Sequence, residues 1–150
     1  MQQLEWNNEA SVGIPEMDAQ HRRLIILLNQ LVKVAQSGGI GDGASALAEI
    51  MQYAERHLQQ EELVLRVRGY PGYADHKAEH DAYRKKVASL QALAGRRDFA
   101  VRLTNLVTEW WRFHILVTDQ QYARYFRRQA EGDQQAVIAG PPQTAESSPA

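Results

Sequence analysis

The sequence predicts an all-α protein, an up-down-up-down antiparallel four-helix bundle with an extended N-terminal arm and a flexible C-terminal tail. Three observations predict it. Four stretches carry apolar residues at alternating three- and four-residue spacing, the pattern of a helix with one buried face. Short segments bearing glycine or proline separate them, which makes consecutive helices antiparallel neighbours. All five histidines fall on the apolar stripes, where imidazoles without partners are costly.

A chain of 150 residues with 44% hydrophobic and 23% charged residues supplies one ordinary core, so a single domain is expected. Residues 1–130 are assigned to the bundle and 131–150 to a disordered tail. The net charge of -1, from 17 basic and 18 acidic residues, leaves no electrostatic footprint for nucleic acid or a membrane surface. The N-terminus MQQLEWNNEASVG has neither a basic n-region nor an apolar h-region, and no apolar run approaches the roughly 20 residues of a membrane span. A cytoplasmic monomer is expected. Cysteine is absent, which excludes disulfides, iron–sulfur clusters and thiolate metal sites. Any metal must be held by nitrogen and oxygen.

Residues 1–16 show no helical period and contain Gly13, Pro15 and one large aromatic, Trp6, which reads as an arm lying on the bundle. From Met17 the series Met17, Leu24, Leu28, Leu31, Ala35 keeps helical spacing, and its missing member is His21. Ser37 to Gly43 (SGGIGDG) is dense in glycine and predicts a stop, with a second helix from near Ala44. That helix places Leu47, Ile50, Met51, Ala54, His57, Leu58, Glu61 and Leu65 on its seam. Gly69 to Gly72 (GYPG) predicts a turn, since Pro71 is unsuited to a helix interior. A third helix, Asp75 to Ala94, follows with the seam His76, His80, Tyr83, Val87, Leu90, Ala94, closed by Gly95 to Asp98. The fourth, Phe99 to Arg128, reads Leu103, Leu106, Val107, Trp110, His114, Val117 and ends in Arg124, Arg127 and Arg128 near its negative pole. Beyond Glu131 the composition turns to Gly, Pro, Gln, Ser and Ala, which buries little surface.

Residues four apart on a helix lie about 40° apart on its surface. His57 with Glu61, and His76 with His80, therefore form two pincers on either side of the GYPG turn, and His21 and His114 join them from the other helices. Imidazole with carboxylate suits a first-row transition metal. Glu61 sits on the seam, whereas Glu62 is one residue round and reads as a solvated partner or as a support to a histidine. Asp119 lies about 140° from His114 on an ideal helix, so spacing alone does not select it, although a π-type widening would bring the two together. Asp18, Glu79 and Asp81 read as caps or solvated groups. A ferritin-like oxidase would need Glu three residues before a ligand histidine, but positions 18, 54, 73, 77 and 111 are Asp, Ala, Tyr, Lys and Trp. A heme would leave most of the histidines unexplained, and a structural zinc seldom takes more than four ligands.

The motifs WNNEASVG, MDAQH ending at His21, HLQQEE from His57, HKAEH from His76 and WWRFHILVTDQQY from Trp110 resemble those of the hemerythrin family, most closely single-domain bacteriohemerythrins, over about residues 6–126. The resemblance implies two iron ions (Fe2+/Fe3+) with an oxo or hydroxo bridge. One would be held by His76, His80 and His114 and the other by His21 and His57, with Glu61 and Asp119 bridging both. The implied function is reversible O2 binding at the iron with only two histidines, for storage, delivery or sensing. Alternatives within the family are an enzyme reducing peroxide or nitric oxide, or an O2 or redox sensor acting through a protein partner. No general acid or base beyond the ligands is evident, which favours binding over turnover. Leu24, Leu58, Trp111 and Ile115 are the candidate lining of the O2 pocket. Where the family usually has Phe after the second-helix histidine and Leu three residues before the fourth-helix histidine, this chain has Leu58 and Trp111. Trp111 is read either as a partial cover of the open iron position or as simple packing.

Overall fold

The computed structural model describes residues 3–37, 40–92 and 99–139. Its helices are α1 (Pro15–Ser37), α2 (Ile40–Val67), α3 (Tyr73–Gln91), α4 (Phe99–Phe113) and α5 (Asp119–Ala139), with a π-helical turn, His114–Thr118, joining α4 to α5. The contiguous α4, π turn and α5 supply the fourth rod of a four-helix bundle. Among the described residues no helix is long and apolar enough to cross a membrane.

The antiparallel register is set by polar contacts whose residue numbers rise on one helix while falling on the next. Between α1 and α2, Gln20 bonds Gln60 and Arg23 bonds Glu49. Between α2 and α3, Glu62 meets His80 and Glu55 meets Arg84. Between α3 and the fourth rod, Glu79 meets Thr118 and Tyr83 meets Trp111. The α2–α3 link ends as the GYPG signal predicts. Tyr70 N–H bonds the Leu65 carbonyl at 2.9 Å and Gly69 N–H bonds that of Arg66 at 3.1 Å, the paired bonds of a Schellman cap. Gly69 supplies the positive φ of 67° that this cap requires.

Buried apolar side chains form two clusters. One contains Leu24, Leu28, Leu58, Tyr83, Val107, Trp111 and Ile115; the other, beside the α2–α3 turn, contains Val12, Ile14, Met17, Leu65, Tyr122 and Ala123. On every rod the histidines and Glu61 and Asp119 fall between these clusters, so the polar groups occupy one layer with apolar material on both sides. The arm is fastened along α1. The Asn29 side chain accepts from Leu4 N–H at 2.9 Å and donates to the Leu4 carbonyl at 2.8 Å. Arg22 lies 4.7 Å over the Trp6 ring, and Asp18 accepts from the Ser11 hydroxyl and Val12 N–H. Asn29→Ala is expected to free the Leu4 end, at about 1 to 2 kcal/mol, read from the denaturant midpoint and a shift in Trp6 fluorescence.

Several expectations change. The α2 helix starts at Ile40 rather than near Ala44, so Gly41 and Gly43 are helical. Each glycine costs about 1 kcal/mol in a helix interior, which weakens the first turn without breaking it. Residues 38–39, Ala94 and the segment 95–98 lie outside the described residues. Val117, placed on the fourth seam, is 45% exposed, because the π turn shifts the register so that Ile115 and Thr118 point inward. The last helix continues past Arg128 to Ala139, so Arg124, Arg127 and Arg128 sit within α5 rather than at its negative pole. Residues 127–135 are helical and exposed, so burial ends at Phe126 while the helix runs on through the composition change at 131. The rest of the expected tail, 140–150, lies outside the described residues.

Candidate metal centre

Each rod presents its histidine because the apolar stripe to which it belongs faces the bundle axis. His21, His57, Glu61, His76, His80, His114 and Asp119 are all at most 4% exposed. Asp119 reaches the site through the π turn. Its N–H bonds the carbonyl of His114, so the five-residue step becomes a single turn and both side chains point inward.

Two groups of side chains share one carboxylate. Glu61, His76, His80 and His114 place one ligand atom each within 4.8 Å of one another, as do His21, His57 and Glu61. In the first group Glu61 Oε2 lies 3.1 Å from His76 Nε2, 3.2 Å from His80 Nε2 and 3.6 Å from His114 Nε2. In the second, the Nε2 atoms of His21 and His57 are 3.2 Å apart. Asp119 spans both, with Oδ1 3.0 Å from His114 Nε2 and Oδ2 3.3 Å from His21 Nε2. The outer nitrogens of two histidines are anchored. His57 Nδ1 lies 2.7 Å from Gln20 Oε1, and His80 Nδ1 lies 2.9 Å from Glu62 Oε1.

The electrostatics are severe for a bare protein core. Burial drives His57 well below its ordinary 6.5 despite the opposing pull of Glu61. Burial works against the Glu61 carboxylate too, yet contacts from His114, His76 and His80 hold it well below the usual carboxylate range. Burial also opposes charge on His114, but Asp119 raises it well above its ordinary value. Among the described residues neither Asp119 oxygen has a hydrogen-bond partner, nor do His21 Nδ1 and His114 Nδ1. Buried polar atoms without partners are rare and expensive. Converging Nε2 atoms with two carboxylates are a donor set that divalent cations satisfy, and seven side chains in two groups exceed one tetrahedral ion. The residues fit a pair of metal ions.

The hemerythrin HHE cation-binding domain matches residues 12–126 of the chain. The chain belongs to the hemerythrin family. Among its relatives, a bacteriohemerythrin of Stenotrophomonas maltophilia is 34% identical over 80% of this chain and 79% of that protein. A bacteriohemerythrin of Clostridium acetobutylicum is 30% identical over 78% of this chain and 96% of its own length, and one of Methylococcus capsulatus is 31% identical over 76% and 88%. The histidines of the hemerythrin motifs quoted from the sequence, with Glu61 and Asp119, sit in one layer of one bundle.

Two residues of this hemerythrin layer were missed. Tyr122 is fully buried and donates its hydroxyl to Glu61 Oε1 at 2.7 Å. Burial, then the charges of Glu61 and Asp119, push its pKa well above 10, so it stays a donor. Its signal was its place three residues after Asp119, on the same helix face. Gln20 carried no signal, because its partner lies on another helix. The carboxylates near histidines divide. Asp18 caps the arm and Asp81 pairs with Lys77 and Arg84, as read, whereas Glu79, held by the Thr118 hydroxyl at 2.9 Å, comes within 3.9 Å of His114 Nδ1.

The four candidate pocket residues share the larger apolar cluster. Leu24, Leu58 and Trp111 are fully buried and Ile115 nearly so. The Trp111 ring stands 5.4 Å from that of His57, and its Nε1–H donates to Tyr83 Oη at 3.3 Å. Trp110 stacks on His114 at 4.2 Å and on Tyr83 at 4.1 Å, packing the outer side of the three-histidine group.

Glu62 offers a pH test. Partial burial opposes its charge, but bonds from Arg84 and His80 lower its pKa below the ordinary 4.5. A depressed carboxyl contributes stability that is complete above 4.5 and is lost as pH falls through the folded value. In thermal melts of metal-free protein, Glu62→Gln should cost on the order of 1 kcal/mol at neutral pH, and the difference should close as the pH drops below 4.5.

Proposed function

We propose that this protein binds O2 reversibly at a non-heme di-iron centre, for storage, delivery or sensing. The observation that carries the reading is the division of the buried layer into three- and two-histidine groups joined by Glu61 and Asp119. His76, His80 and His114 would hold one iron and His21 and His57 the other, with both carboxylates shared between them. Two ferrous ions there would supply the two electrons that O2 takes up on binding and returns on release. Everything else is the work of the chain. Tyr122 fixes the Glu61 carboxylate by its 2.7 Å hydrogen bond. The unequal histidine count gives the His21 and His57 side fewer protein donors, so an ion there would be the one to take an outside ligand. Leu24, Leu58, Trp111 and Ile115 bring apolar surface to that side and exclude water, whose protons would drive irreversible oxidation.

Binding is favoured over turnover because the buried acid beside the cluster, Tyr122, is held protonated and committed to Glu61. Reduced anaerobically and exposed to O2, the iron-loaded protein should show a visible absorption band that disappears when O2 is removed and returns over repeated cycles. Irreversible oxidation in the first cycle would refute the carrier reading, and steady consumption of peroxide or nitric oxide would replace it with an enzyme.

A further inference from the structure

The two histidine groups are alike on their inner side and different on their outer side. His80 directs Nε2 to the cluster and Nδ1 to the Glu62 carboxylate at 2.9 Å. Glu62 is itself fixed by Arg84, whose Nη1 donates to it at 2.7 Å, and Arg84 is braced by Glu55 at 3.0 Å and Asp81 at 3.0 Å. His57 directs Nε2 inward in the same way, but its Nδ1 meets the neutral amide oxygen of Gln20 at 2.7 Å. Gln20 in turn donates to Gln60, which is also neutral. Glu79 stands 3.9 Å from His114 Nδ1, but among the described residues neither that nitrogen nor His21 Nδ1 has a hydrogen-bond partner. A hydrogen-bonded carboxylate therefore backs His80 in the three-histidine group, and among the described residues no carboxylate bonds the outer nitrogen of His57 or His21.

An imidazole that donates its outer N–H to a carboxylate is a more basic ligand through its inner nitrogen than one that donates to an amide. We propose that Glu62 and Gln20 are positioning residues that make the two metal positions unequal, so that the three-histidine position binds a divalent transition metal first and more tightly. The inference rests on the two-metal reading and deepens it. Inequality suits the function, because the weaker donors surround the ion that must keep a position free for an outside ligand.

The test is a titration of metal-free protein with Co2+, followed by calorimetry and by the visible bands that report cobalt coordination. The wild type should bind two ions in two resolved steps. Glu62→Gln should weaken the first step by about 10- to 100-fold and leave the second nearly in place. Gln20→Glu should tighten the second step and leave the first. A residue acting only on packing would move both steps together. The proposal is overturned if Glu62→Gln shifts both steps equally or neither, or if Gln20→Glu fails to tighten the second. If Glu62→Gln loses its helical circular dichroism, Gln20→Glu alone decides, by the same criterion. Fewer than two cobalt ions per wild-type chain would refute the two-metal reading, and this inference with it. Two ions in steps that ignore both substitutions would refute this inference alone.

Discussion

Asp119→Asn is expected to cut metal binding from two ions per chain to one or none while stabilising the metal-free bundle. Both effects follow from one position. Asp119 is fully buried, its oxygens face His114 Nε2 at 3.0 Å and His21 Nε2 at 3.3 Å, and among the described residues neither makes a hydrogen bond. Without metal it stands against His114, whose pKa it raises well above the ordinary value against the effect of burial. Histidine can shed its proton once position 119 is neutral, so the exchange removes a buried carboxylate without leaving an uncompensated charge opposite it, and the net effect is stabilising. With metal the balance reverses, since an amide lacks the charge and the two equivalent oxygens needed to join two cations. The metal-free variant should therefore melt above the metal-free wild type, and the iron-loaded variant below the loaded wild type. Melting curves of both forms, with metal analysis of each, check the crossing. A metal-free variant that melted lower would mean that Asp119 serves the fold rather than the ions.

Trp111→Leu is expected to speed both O2 dissociation and autoxidation by about tenfold, equivalent to about 1.4 kcal/mol of barrier. The indole is fully buried, stands 5.4 Å from the His57 ring and is tethered by its N–H to Tyr83 Oη. Leucine is smaller and has no donor, so the change leaves space beside the two-histidine group and removes the partner of the Tyr83 hydroxyl. Tyr83 is buried, so its hydroxyl loses a hydrogen-bond partner away from water, which adds to the cost of the space left by the ring. A stability loss of about 2 to 3 kcal/mol should accompany the kinetic change. Stopped-flow O2 release and the decay of the oxygenated spectrum separate the two roles of the ring. If stability falls while both rates hold, the indole only packs.

Much of this architecture is legible in the sequence because it depends on periodicity. His21 stands in for an apolar residue in the α1 series, and His57 and Glu61 stand on the α2 seam between Ala54 and Leu65. A reading of stripes finds such residues. It fails where the period itself changes. Val117 falls on the α-helical stripe yet is exposed, and Asp119 falls off it yet is buried, because one π turn lies between His114 and Asp119. Resemblance to the hemerythrin motifs, rather than helical geometry, brought Asp119 into the candidate set. Contacts between helices were the other gap. Gln20 behind His57 and Arg84 behind Glu62 depend on interhelical register, which no single helix encodes.

On the proposed function the buried layer holds two metal ions. Iron bound per chain, measured by elemental mass spectrometry on protein loaded and desalted without oxygen, tests it most directly. Two ions per wild-type chain are expected, falling below two in Asp119→Asn. One ion in the wild type, or two retained in the variant, would contradict it.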